Sequence, residues 1–119
     1  MDGNLRVAWT HWALSWLHSL GGALIFLVFL QTLFSKAPVE SPGGVLLLLV
    51  IVMGVVALHR SAGRAAERNR PWARSLSRTI AAFLLIGFPL GTAIGLYMLY
   101  NCRRKRWPLP ESGGLATRA

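Results

Sequence analysis

The chain is 119 residues long, room for one domain at most, and it is 54% hydrophobic against 14% charged, a balance that excludes an ordinary soluble globule. Its formal net charge of +9 invites nucleic-acid binding, yet the bases flank apolar runs and no soluble fold is left to present them to a groove. Cys102 is the only cysteine, which excludes an internal disulfide and a cysteine metal site.

Residues 1–8 form a short polar lead. From Trp9 to Phe34 there is no acid or base apart from His11 and His18, and the run exceeds the ~20 residues a spanning helix needs. Trp9, Trp12 and Trp16 fall at helical spacing near its start, where indole rings favour the head-group layer. The run's length, its tryptophans and Pro38 after the weak Ser35-Lys36-Ala37 site argue for a retained helix over a cleaved signal peptide. Ser15, Ser19 and Ala23 repeat every four positions, a stripe of small residues suited to close helix packing. The string KAPVESPGG at 36–44 is a turn between antiparallel neighbours. A second, short span follows at about 43–60, wholly apolar from Val45 to Leu58.

Positions 59–78 are basic, with Arg60, Arg64, Arg68, Arg70, Arg74 and Arg78 against Glu67. Asn69 and Pro71 interrupt the segment, and proline suits the first turn of a new helix. There Trp72, Leu76, Ile80 and Phe83 make an apolar stripe, with the arginines snorkelling back to head groups from another side. The third run carries no charge from Thr79 to Cys102 and includes GFPLGTAIG, which places Gly87, Gly91 and Gly95 on one helix face where a partner helix can approach. Pro89 removes a backbone donor, so a helix over about 71–102 should kink or break at Gly87–Gly91. The basic block Arg103, Arg104, Lys105 and Arg106 closes a single membrane domain over 1–106, and the Pro/Gly-rich tail 107–119 reads as disordered.

Basic residues prefer the cytoplasm, which puts 59–78 inside and the 36–44 turn outside. A third full span leaves seven Lys and Arg inside and six outside, whereas a re-entrant third run leaves twelve inside and one outside. Charge favours re-entry. Apolar length favours a kinked span, as does the need to satisfy non-helical backbone in lipid. The kinked span, with the tail outside, is the expectation.

Three histidines are candidate ligands. His11 and His18 share a face of the first helix, and antiparallel packing sets His59 level with His11, with His18 ~10 Å deeper. Neutral imidazoles from facing helices could ligate a haem or chlorin; the plainer expectation is no cofactor and no metal. All four acids (Asp2, Glu40, Glu67, Glu111) lie outside the apolar runs, so no carboxylate relay exists there. No phosphate loop, zinc motif or activated nucleophile is present, and the chain is not expected to be an enzyme.

Arg70, Pro71, Trp72, Ala73 and Arg74, followed by Pro89, Leu90, Gly91, Thr92, Gly95 and Tyr97, form an RPWAR…PLGTxxGxY pattern. In this the chain resembles a loose group of small uncharacterised bacterial multi-pass membrane proteins. The match covers about a quarter of the chain and implies a bacterial inner-membrane location, with no activity attached.

The fold expected is therefore an all-α membrane protein with three hydrophobic helical segments. Its expected role is that of a small non-catalytic subunit or stabilising factor in the assembly of a larger membrane complex. Its partners would be other integral membrane subunits, through the glycine-zipper and small-residue faces, and anionic lipids, through the ten bases named between Arg60 and Arg106. Neither a nucleic acid nor a small-molecule substrate is expected. Two alternatives are a haem- or chlorin-carrying anchor of an electron-transfer or light-harvesting complex, with His18 as axial ligand, and an immunity-type or pore-related membrane protein.

Overall fold

A computed structural model describes residues 2–35, 41–87 and 89–108. Most of the 36–44 turn, and of the tail beyond 107, lies outside the described residues. Among the described residues the chain is all-helical: α1 spans Gly3–Phe34, α2 Pro42–Glu67, α3 Pro71–Leu84 and α4 Leu90–Asn101. Two of these helices, α1 and α2, are long and apolar enough to cross a membrane.

Three boundaries differ from the sequence expectation. α1 starts at Gly3 and not Trp9, and α2 runs past residue 60 to Glu67. Charge ends an apolar run without ending a helix; the stretch from Arg60 to Glu67 is rich in Ala and Arg, both strong helix formers. What stops α2 is Asn69, at φ 50°, a left-handed conformation that asparagine tolerates. Arg70, at φ −65° and ψ 135°, then takes the extended form favoured before proline, and Pro71 opens α3.

The third difference is that the helix expected over 71–102 is two helices. α3 ends at Leu84, α4 begins at Leu90, and the two pack against each other. Contacts that run in opposite chain directions show that the chain doubles back. Arg74 Nε donates to the Cys102 carbonyl at 2.8 Å. A Cβ on Gly95 would sit 2.7 Å from the Ala81 carbonyl, and one on Gly91 2.5 Å from that of Leu84. The glycine stripe thus meets α3 of its own hairpin, at a separation only glycine permits.

The residues group into two compact units, Met1–His11 with Ser61–Ala119, and Trp12–Arg60. In the 12–60 unit α1 and α2 are antiparallel neighbours: Arg60 Nε donates to Ser15 Oγ at 3.3 Å, His18 stacks on His59, and Gly22 faces Val52. In the other unit the buried face is built from small side chains. Ala62, Ala65, Ala66, Ala73 and Ala81 are all 5% exposed or less, while Trp72 is 51% and Phe83 70% exposed. Trp72 and Phe83, two members of the apolar stripe on α3, thus face outward. The buried face of α3 is Ala73, Ser77 and Ala81.

Candidate functional site

The start of α1, the end of α2, the α2–α3 turn and the segment after α4 meet in one unit, and their polar atoms hold them there. The Gly3 amide donates to the Arg106 carbonyl at 2.8 Å. Asn4 Nδ2 donates to the Ala66 carbonyl at 3.1 Å, and Asn69 Nδ2 to that of Pro108 at 3.1 Å. The Arg74 bond to the Cys102 carbonyl belongs to the same set, so this arginine braces α3 on the end of α4. Around these contacts Arg64, Arg68, Arg70 and Arg78 are exposed, as are Arg103, Arg104, Lys105 and Arg106. The result is a cationic collar assembled from three separate parts of the chain. Arg106 lies 4.1 Å and Arg103 4.9 Å from the Tyr100 ring; such cation–π contacts hold guanidinium groups without neutralising them.

His11, expected near water and level with His59, is fully buried in this unit and shares a 2.9 Å hydrogen bond between its Nε2 and Ser77 Oγ. The register follows from the helix ends. Because α2 continues to Glu67, His59 lies two turns before the end of its helix and meets His18, seven residues along α1 from His11. His11→Ala leaves the Ser77 hydroxyl unpaired in a buried site, at a cost of about 1–3 kcal/mol. A larger fall in thermal midpoint for this variant than for the half-buried His18→Ala is expected, and equal midpoints would contradict the packing.

His18 and His59 have ring centroids 5.3 Å apart and planes inclined by 29°. His18 Nδ1 lies 2.7 Å from the Leu14 carbonyl, an atom that only accepts, so Nδ1 carries the proton and Nε2 keeps a lone pair in the neutral ring. Face-to-face rings suit stacking. In this arrangement the two rings contact each other directly. Among the described residues no group of three or more His, Cys, Asp and Glu is placed to hold a metal ion.

Of the small-residue stripe on α1, Ser15 is buried and accepts the Arg60 bond, whereas Ser19 and Ala23 border a groove alongside α2. Gly87 sits in the α3–α4 turn, 3.6 Å from Gly91 Cα by its would-be Cβ. Three polar residues buried in this architecture are not singled out by sequence reasoning: Asn4, Ser77 and Asn101. The signal for Ser77 is its place midway between Ala73 and Ala81 at four-residue spacing, and for Asn101 its place as the last polar residue before the basic block.

Compared with protein-family models, curated proteins and solved structures, the chain matches none.

Proposed function

We propose that this chain is a multi-pass protein of the bacterial inner membrane that acts without catalysis, as a small subunit or stabilising factor of a larger membrane complex. The observation that carries the reading is the inversion of side chains. Small residues fill the contacts within the chain, while Leu20, Leu24, Leu27, Leu47 and Val50 on the long helices are each more than half exposed. Only 11% of the most apolar window of each long helix is buried. Such surface is stable only against lipid or against other apolar helices.

The arms of the α3–α4 hairpin, 14 and 12 residues, reach ~21 and ~18 Å at 1.5 Å per residue, short of the ~30 Å hydrocarbon core. The hairpin therefore enters and returns, and its exposed tip of Phe83, Ile86 and Leu90 is apolar enough to do so. The turn's polar groups support this path. The amides of Leu85, Ile86 and Gly87 donate to the carbonyls of Ala81, Phe83 and Leu84, and Thr92 Oγ1 donates to the Leu85 carbonyl at 2.9 Å. Re-entry removes the charge conflict, since twelve of the thirteen Lys and Arg then share the cytoplasmic side with the 59–78 segment.

Purification of the tagged chain in mild detergent tests the role. Co-purification of larger integral membrane subunits in fixed ratio is expected, and a lone chain or homo-oligomer at native expression level would overturn it.

A further inference from the structure

In the 12–60 unit, a groove of about 440 Å³ runs between α1 and α2. Its walls are apolar, with Gly22 and Phe26 from α1 facing Val52 and Val56 from α2, and its polar lining is Ser19 and Arg60. Small Ala23 leaves the α1 wall low, beside the point where Gly22 lies against Val52. From Arg60 to Leu49, the extremes of its α2 side, the helical rise gives ~16 Å. That is the depth of one leaflet, half of a ~30 Å hydrocarbon core.

We propose that this groove seats one acyl chain of an anionic phospholipid, with the lipid phosphate held by Arg60. Arg60 is the first charge met on leaving the apolar run of α2, so it stands at head-group level where a phosphate lies. Its Nε is tied to Ser15 Oγ at 3.3 Å, which leaves the two terminal nitrogens as a fork for phosphate oxygens. The orienting hydrogen bond reduces the side-chain freedom lost on binding. A cation at one end of an apolar slot a leaflet deep matches an anionic lipid, and a zwitterionic head group gains less from it.

The inference rests on the chain being integral to the membrane, and the two are tested separately. Resistance of the chain to alkaline carbonate extraction tests membrane integration. The purified chain is then exchanged into nanodiscs containing equal phosphatidylglycerol and phosphatidylcholine, released into detergent, and examined by native mass spectrometry. One retained phosphatidylglycerol per chain is expected. Arg60→Gln should lower that retention about fivefold, the effect of one basic residue at an anionic surface. Ala23→Phe, at an exposed position on the groove wall, should lower it at least as much by filling the slot. Leu47→Phe, at an exposed position outside the groove, should leave it unchanged. Equal retention of the two lipids, undiminished retention in Arg60→Gln, equal losses in Ala23→Phe and Leu47→Phe, or a groove occupied by a co-purifying helix in place of lipid would each overturn the proposal in a chain that resists extraction.

Discussion

A cysteine placed at Lys105 in a Cys102→Ala background is expected to stay unlabelled by a membrane-impermeant maleimide in intact cells, and to label fully once the cells are opened. Position 105 is exposed, so protection there reports sidedness and not burial. A cysteine at Arg68, also exposed, should behave identically, because the Asn69 and Asn4 bonds hold the α2–α3 turn with residue 108 and with the start of α1. Ala65 is a poor reporter, since at 5% exposure it resists reagent on either side. Ser41, exposed at the start of α2, should label from outside. The effect is all or none. Labelling at 105 with protection at 68 would restore a third full span, and labelling at 68 would reverse the orientation.

The second large effect concerns the hairpin's own seam. Gly91→Ala places a methyl 2.5 Å from the Leu84 carbonyl, and neither atom sits on a flexible side chain that can move aside. Gly95→Ala does the same against the Ala81 carbonyl at 2.7 Å. Overpacking of this kind costs about 1–3 kcal/mol per site, more than the up to ~1 kcal/mol that alanine gains over glycine in a helix. Both variants should therefore lower the thermal midpoint in detergent and weaken a disulfide engineered between the two arms. Gly21, with no atom within 4 Å of a would-be Cβ, supplies the contrast: Gly21→Ala should be neutral or mildly stabilising. Equal behaviour at positions 21 and 91 would mean that α3 and α4 are not in contact.

The long helices are legible in the sequence because hydropathy alone identifies them, and the RNRP string marks the α2–α3 turn by its chemistry. Their ends are not legible, and the histidine register depends on those ends. Reading α1 from Trp9 and α2 to residue 60 pairs His11 with His59, whereas the true ends pair His18 with His59 and send His11 to Ser77. The glycine stripe is recognisable as a close contact, but spacing cannot say whether the facing helix belongs to another protein or, as here, to α3. Re-entry is suggested by charge and opposed by the bare backbone of a turn in lipid. The opposition weakens only when the Thr92 hydroxyl and the amides of 85–87 are seen to find partners. The collar's cations can be counted from the sequence, while the internal use of Arg74 depends on α4 returning to meet it.

The bond from the Gly3 amide to the Arg106 carbonyl sets an order of biogenesis. A pair so far apart in the chain closes only after position 106 has left the ribosome, and closing so long a loop carries an entropic cost that local helix pairing does not. The α1–α2 hairpin of residues 12–60 needs nothing made later and can form while the chain is still being synthesised. The opening turn of α1 must wait, with the Asn4 side chain lacking its Ala66 partner until α2 is complete. A nascent chain stalled before residue 100 would therefore hold the hairpin with an unlatched amino-terminal end.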